Sequence, residues 1–422
     1  MTAIRLMIRK ISQEQLFMLS VLVVNGGNYL YNLLLGRYLG PVAFSEAALL
    51  ITLLLVLSFM GMTFQLAVAK FAVLFSGGQW ERFRRNSYRQ SAFIGLIVGL
   101  LIIIFSKQLQ LLFNTESHWM FTIFGLGIPV YFFMSVNRGA YQGRQEFGKL
   151  SITYQTEMWS RLLLTLLLLL FIDMQPGIIV SFGIFLSFLF GLLPSDVNRL
   201  SFRSLEKLTT ENSKKVSNFI ILTACYELTQ IIINNSDVLM VKHYFDAMDA
   251  GLYASLALIG RVVYFVAWMF VMLLLPAVVQ KQKDGEPTAP ILFKYVTYIG
   301  ILSAAIVIAC YLFPDLIITL MFGESYLSMS SLLWQYAMAT SLFAISNIFA
   351  YYFLSLDHYI PVIISGVLGL SQILLVALFH ENLATVVHMQ IIAMAILLVI
   401  QIIYFLKKEV KAKTYKSQSP EQ

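Results

Sequence analysis

Long runs of apolar residues, separated by short polar stretches, recur along the whole chain. A helix that crosses the ~30 Å hydrocarbon core of a bilayer needs about 20 mostly apolar residues. The runs are continuous rather than alternating, which excludes a transmembrane β-barrel. The pattern therefore predicts an all-α polytopic membrane protein with about twelve transmembrane helices. The predicted spans are 14–37, 42–69, 90–107, 117–137, 150–172, 177–194, 216–243, 250–279, 291–313, 328–355, 359–380 and 383–406.

Composition agrees with this pattern, because 59% of the 422 residues are hydrophobic and only 12% are charged. Soluble domains carry roughly 25% charged residues, so a soluble globular protein is excluded. Cys225 and Cys310 lie in separate apolar runs without motif spacing, which argues against a disulfide or zinc framework. We therefore expect no metal site and no cofactor.

Basic residues determine the predicted orientation, because Lys and Arg concentrate on the cytoplasmic side of membrane proteins. With a cytoplasmic N-terminus, the runs 82–89 and 407–416 and the single residue Arg138 all fall in inner segments or the inner tail. Both termini are then cytoplasmic. The net charge of +7 faces anionic inner-leaflet lipid, and a nucleic-acid partner is not needed to explain it. The outer turns keep Arg37, Lys107 and Lys242.

Weak internal similarity indicates two halves. Asn28 and Tyr38 match Asn234 and Tyr244 at one common offset of 206 residues. Six helices per half make these parallel repeats, related by an axis along the membrane normal. We therefore expect two six-helix bundles around a central cavity. The predicted division is an N-terminal bundle at 1–198, a cytoplasmic linker at 199–215 and a C-terminal bundle with a basic tail at 216–422.

Three predicted helices carry polar residues at helical spacing, so that each set lies on one face. Polar stripes facing lipid are costly, and we expect these faces to contact the cavity or a neighbouring helix. The stripes are Asn25, Asn28 and Asn32 in the first span, Tyr154, Glu157, Arg161 and Thr165 in the fifth, and Thr223, Glu227, Gln230, Asn234 and Asp237 in the seventh.

Depth along the helices singles out three ionisable residues. At ~1.5 Å per residue, Arg161, Arg261 and Glu227 fall roughly 16 Å from a helix end, near the midplane where transporter sites lie. Asp237 and Glu46 belong nearer the outer face, as gating or structural groups. We expect the two arginines to have no carboxylate of their own and to offer hydrogen-bond donors to an anionic head group.

Structural explanations of the same residues remain open. Glu157 and Arg161 form an i,i+4 pair that could neutralise itself within one helix, and Arg261 could pair with Glu227 as a static brace. The residues expected to bind substrate are Arg261, Arg161, Asn28, Asn32, Asn234 and Gln230. Those expected in coupling or gating are Glu227, Asp237 and Glu157.

Two turns resemble a known family. The stretch Asp237–Met240, followed by Tyr244, Ala250–Tyr253 and Ala257, is similar to the seventh-to-eighth helix signature of bacterial polysaccharide transport proteins. These are O-antigen and lipid-linked oligosaccharide flippases of the multidrug/oligosaccharidyl-lipid/polysaccharide exporter superfamily. Gly36–Pro41 resembles the first-to-second turn of that family, and Leu275–Pro276 its pattern near the end of the eighth helix.

The resemblance implies a transporter rather than an enzyme, working by alternating access in the bacterial cytoplasmic (inner) membrane. The implied cargo is an undecaprenyl-diphosphate-linked oligosaccharide flipped from the inner to the outer leaflet, with membrane lipid and polysaccharide assembly enzymes as further partners. A coupling proton or sodium ion, or the membrane potential, would drive it. The alternatives are an ion-coupled multidrug or small-solute exporter, and a membrane glycosyltransferase or polymerase. The predicted cavity has fewer charges than is usual in the family.

Overall fold

The structure is a computed structural model that describes residues 13–194, 210–264, 284–356 and 360–418, with the isolated positions 274, 278, 281 and 282. Several sequence-based predictions lie outside these residues. They are most of the predicted linker and the Leu275–Pro276 motif.

The described residues form helices joined by short turns. The chain divides into two compact units, Met1–Ile231 and Ile232–Gln422, which we call the N-terminal and C-terminal units. This division falls inside a helix, and the predicted bundle boundaries at 198 and 216 stay a prediction. The helices up to the division are α1 Gln13–Leu74, α2 Gly77–Ile104, α3 Ser106–Leu112, α4 Trp119–Gly143, α5 Phe147–Phe171, α6 Pro176–Gly191 and α7 Thr210–Tyr244, which continues into the C-terminal unit.

The C-terminal unit repeats the order of elements found in the N-terminal unit. Its helices are α8 Ala247–Gly260, α9 Ala289–Leu312, α10 Pro314–Met321, α11 Leu333–Ser355, α12 Ile360–Leu378 and α13 Leu383–Gln418, with a 3-10 helix at Glu324–Leu332 before α11. The short helices α3 and α10 each follow a long helix, and their first residues are 208 positions apart. This separation is close to the offset found in the sequence.

Helices α1 and α2 differ from the predicted spans. The first two spans are joined as α1, which is interrupted at Gly40, where φ is 72° and ψ is 172°. A positive φ suits glycine, and Pro41 lacks the N–H that would continue the helix, so the predicted turn survives as a break. Helix α2 begins at Gly77, well before the predicted residue 90, so the basic run at 82–89 is helical.

Seven helices within the described residues are long and apolar enough to cross a membrane, and Pro176–Gly191 and Ile363–Leu378 are shorter apolar helices. The predicted all-α polytopic architecture is confirmed. The total of twelve spans and the side of each terminus stay predictions.

Close helix packing in the N-terminal unit depends on small residues, as in many membrane proteins. Gly139 in α4 faces α1, and a Cβ there would collide with the backbone oxygen of Gln65 and with Cβ of Val68. A β-carbon at Gly148, near the start of α5, would meet no atom within 4 Å. A methyl group would therefore disturb helix packing at Gly139 but not at Gly148.

We expect Gly139→Ala to lower the melting temperature of the detergent-solubilised protein by several degrees, because α1 and α4 must separate to admit the methyl group. Gly148→Ala is the matched control and should leave the melting temperature unchanged or slightly higher, since alanine favours the helix. Size-exclusion chromatography of samples heated to increasing temperatures measures both melting temperatures. Equal melting temperatures for the two variants would contradict the packing.

Candidate functional site

A buried charge network connects α4 and α5 in the N-terminal unit. Arg138 Nη2 lies 2.7 Å from Glu157 Oε2, and Arg161 Nη1 lies 3.4 Å from Glu157 Oε1. The three side chains are 6%, 10% and 11% exposed, in the order Arg138, Glu157, Arg161. One carboxylate is therefore shared between two guanidinium groups in the interior of the unit.

Arg161 also reaches α1. Its Nη2 donates to Asn28 Oδ1 at 2.5 Å, and its guanidinium carbon lies 5.7 Å from the centre of the Tyr31 ring. The Tyr31 and Thr165 hydroxyl oxygens are 3.3 Å apart. The polar stripes of the first and fifth spans thus contact each other, as one of the two predicted alternatives required.

The other asparagines of the first stripe behave differently. Asn32 Nδ2 donates to the backbone oxygen of Asn28 at 2.9 Å, one helical turn earlier. Asn25 is exposed. Of the three asparagines, Asn28 is the one that holds a guanidinium group directly.

Arg138, which the sequence predicts in an inner segment after the fourth span, is part of a helix in the structure, and its side of the membrane stays a prediction. The residue lies inside α4 with 5% of its surface exposed, because α4 continues to Gly143 rather than ending at 137. Its Nε donates to Thr153 Oγ1 at 3.1 Å, and its guanidinium carbon lies 3.9 Å from the centre of the Tyr154 ring. A fourth span extended to Gly143 would have placed Arg138 within a helix, where it can contact α5.

The network in the N-terminal unit has an excess of positive charge. Two guanidinium groups share one carboxylate, so one buried positive charge is not neutralised by Glu157. Arg161 Nε is buried and has no hydrogen-bond partner among the described residues. A buried donor without a partner is costly and marks a place where a ligand acceptor would be stabilising. Arg161 therefore has both a charge and a donor to offer.

The C-terminal unit contains a different arrangement. Arg261, directly after α8, has Nη2 2.8 Å from Asp237 Oδ1 on α7, and its Nη1 donates to Asn235 Oδ1 at 3.3 Å. The expectation that Arg261 lacks a carboxylate partner is wrong, and the carboxylate is Asp237 rather than Glu227. Distances from helix ends do not show which side chains meet across two helices, so the pairing with Asp237 was missed.

Both carboxylate oxygens of Asp237 accept hydrogen bonds. Its Oδ2 accepts hydrogen bonds from the hydroxyl groups of Tyr253 at 3.2 Å and Tyr336 at 2.6 Å. Gln390 Nε2 donates to the Tyr253 hydroxyl at 2.7 Å. The carboxylate thus joins α7, α8, α11 and α13 through polar groups that sequence spacing did not reveal. An open hollow of about 320 Å³ lies beside it, lined in part by Asn234, Thr340 and Gln372.

The remaining predicted residues are dispersed. Glu46 is buried and accepts the backbone N–H of Glu116 at 2.6 Å, which is a structural role near a helix end. Glu227 is partly buried and Gln230 is buried, both in the part of α7 that belongs to the N-terminal unit. Within the described residues, no group of three or more His, Cys, Asp or Glu side chains is arranged to hold a metal ion.

Known proteins share the fold. The family model described as polysaccharide biosynthesis protein matches residues 34–331, more than half of the chain. No curated protein matches the sequence. An inward-facing multidrug resistance MATE family transporter of the MOP superfamily is 12% identical with a TM-score of 0.76, over 93% of this chain and 96% of the other. The lipid II flippase MurJ, in an inward closed conformation, is 15% identical with a TM-score of 0.72, over 96% and 94%.

A third structure, a MOP superfamily transporter from Pyrococcus furiosus, is 11% identical with a TM-score of 0.58, over 94% of this chain and 95% of the other. These three structures, at 11–15% identity, show the fold alone, and it is the fold that the resemblance of the turn motifs implies. The named structures are transporters and a flippase rather than enzymes, as the sequence predicts for this chain.

The Asp237–Arg261 pair gives a stability prediction. We expect Asp237→Asn to destabilise the protein by about 3–5 kcal/mol, because it leaves the Arg261 guanidinium buried without a counter-charge. Adding Arg261→Met to that variant should recover much of the loss, since the uncompensated charge is then gone. Thermal or denaturant unfolding in detergent measures both changes. A double variant less stable than Asp237→Asn alone would contradict the pairing.

Proposed function

We propose that the chain, which belongs to the family of polysaccharide biosynthesis proteins, carries a lipid-linked saccharide across the membrane. The observation that carries this proposal is the buried excess positive charge at Arg161. A diphosphate linkage between lipid and sugar is anionic and rich in acceptor oxygens, which suits guanidinium donors. A buried cation at membrane depth is otherwise costly and is usually retained for function.

Arg161 is the stronger candidate of the two predicted arginines. It shares its carboxylate with Arg138 and keeps one buried donor unsatisfied among the described residues. Arg261, by contrast, has Asp237 at 2.8 Å as its own partner, and the pair is neutral. We therefore assign the phosphate contact first to Arg161, with Asn28 holding the guanidinium in place.

The cargo we propose is an undecaprenyl-diphosphate-linked oligosaccharide, moved from the inner to the outer leaflet of the bacterial cytoplasmic membrane by alternating access. Within the N-terminal unit, Asn32 and Gln230 carry neutral amide groups of the kind that suit sugar hydroxyl groups. Enzymes of polysaccharide assembly are the proposed partners on either side of this step. MurJ, which has the same fold, is described as a lipid II flippase, and this supports a lipid-linked cargo.

Glu227 is the residue we propose for coupling to a proton or sodium ion. Glu157 is engaged by two arginines, and Asp237 accepts bonds from one arginine and two tyrosines. Both carboxylates are therefore already engaged by donors, which makes each a poorer site for a coupling ion than Glu227. The membrane potential, worth ~2.3 kcal/mol per charge per 100 mV, is the alternative drive for a positively charged empty site.

A multidrug exporter is the second candidate, because the MATE transporter has the same fold. That likeness concerns the fold alone. A site for cationic drugs would need an excess of buried negative charge, whereas the network around Glu157 has an excess of positive charge. The sign of the buried charge therefore favours an anionic cargo.

We expect Arg161→Gln to weaken binding of undecaprenyl diphosphate about tenfold or more, since it removes a charge-assisted hydrogen bond to phosphate. Binding of uncharged undecaprenol should not change. Arg161→Lys should recover part of the affinity by restoring the charge without the planar fork. Titration of the purified full-length protein in neutral detergent measures all three.

Arg37→Gln is the matched control, because it removes the same charge from an exposed position of the same unit. Equal weakening by Arg37→Gln and Arg161→Gln would refute the assignment to Arg161. The function itself is tested in a deletion strain, where lipid-linked saccharide should accumulate on the inner leaflet. Normal surface polysaccharide without accumulation would refute the proposed transport.

A further inference from the structure

A second concentration of arginines surrounds a hollow at the ends of α2 and α4 that the sequence places on the cytoplasmic side. The hollow is open and has a volume of about 310 Å³. Arg84 and Tyr88 line it from α2, Asn137 and Tyr141 line it from α4, and Arg144 lines it from the turn after α4. The site is separate from the network around Glu157.

Neither arginine uses all of its guanidinium N–H groups in hydrogen bonds within the described residues. Arg84 Nη2 bonds Glu81 Oε2 at 2.8 Å, yet Arg84 Nε is buried and has no hydrogen-bond partner among the described residues. For Arg144, the contact found within the described residues is with an aromatic ring rather than with a carboxylate. The hollow is therefore lined by Arg84, which has a buried donor without an acceptor among the described residues, and by the exposed Arg144, whose charge no carboxylate pairs with there.

Trp80 fixes the position of both guanidinium groups. Its side chain is almost fully buried at 2% exposed, and its ring centre lies 4.9 Å from the Arg144 guanidinium carbon and 6.0 Å from that of Arg84. Cation–π contacts of this kind orient arginine without neutralising its charge. The two cations are thus held in place before any ligand arrives.

The other polar groups of the hollow already have partners. The Tyr88 hydroxyl donates to Asn137 Oδ1 at 3.2 Å, and the Tyr141 hydroxyl donates to the Pro194 backbone oxygen at 2.6 Å. Glu146, the carboxylate among the lining residues, forms an ion pair with Lys149 at 2.6 Å. These bonds leave the guanidinium groups as the donors open to a ligand, and the ligand must be an anion.

We infer that this hollow binds the phosphate of an anionic phospholipid head group. Paired arginines match phosphate oxygens in geometry and charge, and basic pockets between helices at this membrane surface suit lipid head groups. The predicted position at the cytoplasmic membrane surface favours a lipid over a soluble phosphate. Phe93 of α2 is 63% exposed and follows Arg84 by nine residues, or ~13 Å along the helix, so apolar surface begins within reach of the acyl chains.

The test uses the purified full-length protein in neutral detergent and the soluble lipid dioctanoyl phosphatidylglycerol. Arg84→Gln combined with Arg144→Gln should weaken lipid binding at least tenfold, and Arg144→Gln alone should weaken it by a smaller factor. Arg85→Gln combined with Arg89→Gln removes the same charge from α2 outside the hollow and should change binding less than threefold. Melting temperatures of all variants check that each is folded.

Two ligands separate the sources of phosphate. Inorganic phosphate should compete with the lipid poorly, and dioctanoyl phosphatidylcholine, whose phosphate is neutralised by choline, should bind more weakly than phosphatidylglycerol. Equal losses in the two double variants would overturn the site, because binding would then follow net charge alone. Inorganic phosphate binding as tightly as the lipid would overturn its assignment to a membrane lipid. Undecaprenyl diphosphate binding at Arg161 is measured separately, so this inference does not depend on the proposed cargo.

Discussion

The sharing of Glu157 between Arg138 and Arg161 is the interaction on which the interpretation of the N-terminal unit depends. Isolated charges at membrane depth are strongly unfavourable, and a guanidinium group persists there only with acceptors around it. One carboxylate, the Asn28 amide oxygen and the Thr153 oxygens provide those acceptors. They hold the two cations in place without cancelling their combined charge.

The C-terminal unit satisfies the same requirement in another way. Asp237 matches Arg261 one to one, and two tyrosine hydroxyl groups complete its coordination. The result is a neutral polar connection among four helices. The two units therefore carry buried charge networks of different balance, one with an excess of positive charge and one that is neutral.

Most of the fold was predictable from the sequence, because continuous apolar runs can satisfy their backbone groups in lipid only as helices. Helix ends were less predictable. The glycine at 77 starts α2 inside a polar stretch, and α4 continues past 137 through residues whose polarity suggested a loop. Apolar runs do not show how far a helix continues into polar sequence, and the helical position of Arg138 was missed for this reason.

The candidate site was predictable in its residue types but not in its pairings. Helical spacing placed Asn28, Glu157 and Arg161 on polar faces, and the structure brings these three together. The partner of Arg261 was missed because spacing within a helix says nothing about contacts between helices. Tyr253 and Tyr336 were missed because a tyrosine in an apolar run is indistinguishable from a packing residue until its hydroxyl group is located.

The unequal bonds of Glu157 have a consequence for how a ligand would enter. The carboxylate lies 2.7 Å from Arg138 but 3.4 Å from Arg161, so its ion pair with Arg161 is the weaker one. An arriving phosphate would replace that longer contact while Glu157 stays closed on Arg138. Such an exchange of partners never leaves the carboxylate or the phosphate without a cationic partner. A small rearrangement of one side chain is then enough to release the bound anion.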